Sequence, residues 1–137
     1  MVNEMVSLSR RPDGSVGSSG TVEAEAGLRG VYLMDVVAEL RSEAAFATDG
    51  RNARTVIHDG MARVVVSVVD AGREIGAETS DGHVALMVLE GAGTLHRGDD
   101  GTEVSAGTLA ILKPGQGWSL LATDPFACVG CFWQPTA

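Results

Sequence analysis

The side chains of this chain that could do chemistry are few and scattered. Its three histidines stand at His58, His83 and His96. His83 follows Asp81 by two residues, and an imidazole near an acid can serve as an oriented base. His58 and His96 lie close to turns, where surface exposure is the ordinary fate. Cys128 and Cys131 form a C-x-x-C, which elsewhere marks redox or zinc chemistry, yet these two sit in an apolar run with no second pair, so packing is the expected role. Lys113 is the single lysine and falls in a turn before Gly115, which disfavours a Schiff base.

Length and charge narrow the classes. A chain of 137 residues, 45% hydrophobic with 18 glycines, suits one all-β domain with many turns. A net charge of −8 repels a phosphate backbone, so no nucleic-acid partner is expected. No apolar run approaches the roughly 20 residues of a bilayer span, and the first residues lack a secretory apolar core. The expectation is a cytoplasmic protein without a membrane partner.

Residues 1 to 27 are rich in Gly, Ser and Arg and predict a flexible tail ahead of a domain over 28 to 137. Leu33, Val36, Val37, Leu40 and Ala44 recur at helical spacing and predict one helix over about 31 to 46, with Glu39, Arg41 and Glu43 on its wet face. Beyond Asp49-Gly50 the sequence breaks into eight or nine short apolar runs. Thr55 to His58 and Ala62 to Val69 flank the hairpin dipeptide Asp59-Gly60. His83 to Glu90, Gly91 to Arg97, Thr102 to Val104, Leu109 to Leu112, Ser119 to Ala122 and Phe126 to Trp133 complete the set. Antiparallel closure is the natural protection for so many edges.

Two glycine-framed blocks resemble the signature motifs of the cupins, small jelly-roll β-barrels that hold a metal or ligand at the barrel mouth. In the first block Gly72 is followed by Glu78, Ser80, Val84 and Gly91 at the family's offsets. In the second, Gly107 leads to Lys113, Gly115, Trp118 and Ala122, with Pro114 one place late. The resemblance covers about residues 50 to 133 and implies a cupin-type antiparallel barrel with one N-terminal helix. It also implies that Glu78, Ser80, Val84 and Trp118 stand where metal-holding members keep three histidines and a glutamate.

Valine donates nothing and an indole nitrogen carries a proton, so at most Glu78 remains a ligand and no cofactor is expected. Apolar groups at these places suit an organic guest. Trp118, Val84, Leu86 and Ser80 become the expected lining, and Glu78, desolvated among them, the expected general acid or base beside His83. Arg51, Arg54 or Arg63 is available to pair with Glu78 or a ligand carboxylate, with Arg54 placed among the lining groups. Alternation from Val84 turns Ala85, Met87 and Leu89 outward, a row that the helix or a second subunit must cover; cupins commonly dimerise.

Three readings stay open on sequence: a metal-independent enzyme performing a cyclisation, isomerisation, dehydration or epimerisation on a small apolar molecule, a non-catalytic binding or sensing module, and a metallo-cupin recruiting His83 or His96.

Overall fold

The computed structural model describes residues 21–23, 28–77 and 82–133. Strands β1 (Thr21–Glu23) and β2 (Arg29–Val31) pair antiparallel ahead of helices α1 (Leu33–Ser42) and α2 (Ala44–Asp49). The ladder places Thr21–Glu23, within the stretch read as tail, in a strand. Nine further strands follow among the described residues. They are β3 (Arg51–Asp59), β4 (Ala62–Val69), β5 (Glu74–Ala77), β6 (His83–Glu90), β7 (Ala92–Arg97), β8 (Asp100–Ser105), β9 (Leu109–Leu112), β10 (Trp118–Ala122) and β11 (Phe126–Trp133).

These nine strands form two antiparallel sheets, ordered β3-β4-β11-β6-β9 and β5-β10-β7-β8. Sequence neighbours such as β5 and β6 lie in different sheets, so the chain winds back and forth between the layers as a jelly roll does. Between the sheets, Val69, Val84, Leu86, Val88, Leu95, Leu120, Phe126 and Cys128 form one buried cluster.

A second cluster lies on the other face of the larger sheet. Val36, Val37 and Leu40 of α1 pack there on Val66, Val68, Ala127 and Val129, with Met87 and Leu89 against them. The helix therefore covers most of the outward row of β6, which is why β4 and β11 read as continuous apolar runs rather than alternating ones. No described helix is long and apolar enough to cross a membrane.

Periodicity alone predicts one helix, and two are present among the described residues. At Glu43 the backbone is extended (φ −82°, ψ 153°). Asn52 of β3 donates from Nδ2 to both the Leu40 carbonyl, at 3.1 Å, and the Glu43 carboxylate, at 2.9 Å. A side chain from the neighbouring strand thus takes a carbonyl of the last turn and ends α1 there. The wet face is also less free than expected. Arg41 pairs with Glu90 at 2.6 Å, and Arg54 of β3 with Glu39 at 2.7 Å and with Glu43. Such half-exposed pairs add at most about 1 kcal/mol each, but they fix where α1 sits.

Candidate functional site

The antiparallel register builds a row across the inner face of the larger sheet at one end of the barrel. His58 of β3 stands opposite Arg63 of β4, Arg63 opposite Phe132 of β11, Phe132 opposite Val84 of β6, and Val84 opposite Leu112 of β9. Side chains directly opposite share a face, so the five converge on the barrel interior. Val84 and Leu112 are buried, Phe132 is half-buried against them, and Arg63 and His58 are exposed at the rim.

Trp118 closes the other side. It opens β10 in the facing sheet, opposite Ala77, and packs in the same cluster as Val84, Leu86 and Phe132. Only 9% of its surface is exposed, and its indole Nε1 is buried without a hydrogen-bond partner among the described residues. A buried donor left unmade costs about 1–3 kcal/mol, a debt that an acceptor supplied from outside the chain would remove.

Arg63 is held differently. Its Cζ lies 4.9 Å from the centroid of the Phe132 ring, and Gly130 leaves the space for that ring, since a Cβ there would come within 3.0 Å of Phe132 Cε1. A cation over the face of a ring is attracted by its quadrupole without using the guanidinium N–H groups as hydrogen-bond donors.

The expected site residues divide. Val84, Leu86 and Trp118 come together in the core between the sheets. Glu78 and Ser80 lie outside the described residues, in the connection between β5 and β6. His83 does not join the others: one place before the inward Val84, it turns to the outer face of the sheet and stacks on Trp133, ring centroids 5.4 Å apart and 13° from parallel. Arg54 is likewise displaced from the expected lining. It stands opposite Val66, on the helix-covered face, and its two carboxylate partners on α1 occupy it. The hydrogen bond it donates to the Glu39 carboxylate above all holds its pKa above the ordinary arginine value.

Sequence reasoning named Arg63 only as one arginine of three and missed Phe132. Arg63 and Ser67 are the polar members of an otherwise apolar run, four apart and hence on one face of β4. That spacing was the available signal.

His96 faces away from the barrel as well. It stands opposite Ser119 in the smaller sheet, on the side away from the buried Leu95 and Leu120. There it borders an open depression of about 630 Å³ floored by Gly76 and Ser119 and edged by Glu74 and Gln116. His83 and His96 therefore lie on the outer faces of different sheets, and Trp118 also borders the depression beside His96.

The metal centre that the motif resemblance implies does not fit these residues. Valine and a protonated indole nitrogen stand at two of the four positions. Among the described residues no group of three or more His, Cys, Asp and Glu side chains could hold an ion.

Cys128 points into the core and Cys131 to the other face of β11. Three residues of extended strand separate their Cα atoms by about 10 Å, beyond the reach of a disulfide. Burial pushes the Cys128 thiol up to about 12. At pH 8 a soluble thiol reagent is expected to label Cys131 and spare Cys128 until denaturant is added, read by intact mass. Equal labelling of both in the native state would contradict the burial of Cys128 between the sheets. The stability that the neutral Cys128 thiol confers is complete below the unfolded value of about 8.5 and is lost as the pH climbs from there toward 12.

No model of a known protein family matches the sequence. No curated protein matches it either. Solved structures do. A protein with a double-stranded β-helix domain from Klebsiella pneumoniae superposes with a TM-score of 0.63 at 26% identity, covering 74% of this chain and 89% of its own. A cupin superfamily protein from Desulfitobacterium hafniense gives 0.59 at 8% identity over 62% and 78%. Salicylate 1,2-dioxygenase from Pseudoaminobacter salicylatoxidans gives 0.65 at 18% identity, covering 72% of this chain and 31% of that longer one. With the sheet order above, these likenesses show that the chain is folded as a double-stranded β-helix, the fold of the cupins.

Proposed function

We propose that this cupin binds a small, largely apolar organic molecule at its barrel mouth and rearranges it without a metal, by cyclisation, isomerisation, dehydration or epimerisation. The observation that carries the reading is Trp118. Where a metal-holding cupin keeps a histidine, this chain has a buried indole whose N–H lacks a partner among the described residues, beside Val84 and Phe132. Apolar walls with a few placed donors are how organic ligands are gripped, and such rearrangements need little beyond a held conformer and one acid or base. In this reading Glu78 is that acid or base. His83, on the outer face, supports the fold through its stack on Trp133.

A purified sample screened against a metabolite panel by thermal shift tests the proposal, with products followed by mass spectrometry. A ligand at a hundred times its Kd is expected to add about 2.7 kcal/mol of stability. Trp118→Ala is expected to weaken that ligand at least tenfold, and Glu78→Gln to stop conversion while binding persists. A ligand indifferent to Trp118→Ala overturns the site. Binding without any product favours a non-catalytic module, a reading helped by the scarcity of acids and bases along the described inner row. A homodimer belongs to the same proposal, since Leu109 and Ile111 of the edge strand β9 are 64% and 54% exposed; the molar mass in solution decides it.

A further inference from the structure

We infer that the molecule taken at the barrel mouth is an organic carboxylate, its apolar body on Phe132 and its charged end on Arg63. The inference rests on the reading of the mouth as a small-molecule site and specifies the class of guest.

Arg63 is a permanent cation in an acidic chain, and charge of this kind is ordinarily taken up by a nearby carboxylate. Arg41, Arg51 and Arg54 each have such a partner. Among the described residues Arg63 has no ion pair, and its guanidinium lies over the Phe132 ring instead. The ring holds the guanidinium beside it, and the N–H groups have no carboxylate partner among the described residues. A fork of this geometry matches the two oxygens of a carboxylate.

The surroundings set the shape of the rest. Arg63, Phe132 and Val84 are consecutive in the row, so about 10 Å of inner surface runs from the charged end to the buried one at the usual strand spacing. Its accessible part is cationic at Arg63 and apolar over the half-buried Phe132, while Val84 and Leu112 close its inner end in the core. An amphipathic acid of roughly six to twelve heavy atoms spans it, presenting hydrocarbon or an aromatic ring to Phe132. The buried Nε1 of Trp118, on the facing sheet, supplies a donor for a further oxygen of the same guest.

Calorimetric titration with matched acids and primary amides tests the assignment: benzoate with benzamide, cinnamate with cinnamamide, and hexanoate with hexanamide, all at pH 7.5. At least one acid is expected to bind ten times more tightly than its amide. Arg63→Gln is expected to erase that preference, leaving the amide within threefold of its original affinity and the melting temperature unchanged, because Arg63 is exposed. Arg63→Lys keeps the charge without the fork and is expected to retain part of the preference. Trp118→Phe weakens acid and amide together. Amides binding as well as acids, or a preference that survives Arg63→Gln, overturns the carboxylate assignment while the mouth remains a small-molecule site. If no acid or amide binds, the assignment and the reading beneath it both fall.

Discussion

Replacing Gly91 with alanine is expected to leave little folded protein. Gly91 turns the chain from β6 to β7 with φ +85°, and a Cβ built there falls 2.1 Å from the Pro125 carbonyl oxygen. Two penalties combine. The left-handed backbone alone costs an L-residue about 1–2 kcal/mol, and the clash is with main chain, which cannot swing aside. Gly91 is also tied in place, since its carbonyl accepts the Ala106 N–H at 3.1 Å. A loss above about 4 kcal/mol is therefore expected, against the 5–15 kcal/mol total of an ordinary domain. Gly72 is the control. Its φ is similar at +86°, but nothing lies within 4 Å of its Cβ position, so Gly72→Ala should cost only about 1–2 kcal/mol. Urea unfolding followed by circular dichroism separates the two, and equal losses would show that the corner at Gly91 has room for a side chain.

Truncation of Phe126 is expected to have the next largest effect. It is fully buried, begins β11 and packs between the sheets with Val69, Leu95 and Leu120. Phe126→Ala removes most of a ring from a site where strands of both sheets restrain collapse, and a loss of about 3–5 kcal/mol follows. Phe126→Leu retains most of the volume and should cost under about 1.5 kcal/mol. The measurement is the urea midpoint at unchanged slope. Equal midpoints for the alanine and leucine variants would mean that the cluster closes over the space.

Both predictions concern groups visible in the sequence whose weight was not. Gly72 and Gly91 are equal members of a glycine frame when read as letters, and both do take positive φ. What separates them is the approach of the Pro125 and Phe126 backbone to the back of Gly91, a contact across the fold. The helix shows the same division. Its apolar stripe was legible, but its break at Glu43 depends on Asn52, which reaches Leu40 only because β3 runs beside α1. Strand β5 was missed because four residues including Gly76 carry no pattern of their own, and their structure comes from pairing with β10.

Within the site, alternation along His83 to Glu90 was sufficient to place Val84 and Leu86 together inside the barrel, and the same alternation sends His83 outside. It says nothing about which strand lies beside which. Arg54 and Arg63 look alike in the chain, each beside β-forming residues. The register gives Arg54 to the carboxylates of α1 and Arg63 to the ring of Phe132, on a strand far along the chain.

The amino-acid sequence alone thus determined an antiparallel β-barrel or sandwich, the edges of most strands and the apolar stripe of α1. These are written in local turn geometry, two-residue periodicity and side-chain chemistry, all readable over a few neighbouring positions. Only the tertiary structure decided which arginine stands at the mouth, that the indole N–H of Trp118 is buried without a partner among the described residues, and that His83 and His96 lie on the outer faces of different sheets. Those outcomes depend on strand order and register, which are fixed by contacts between residues far apart in the chain.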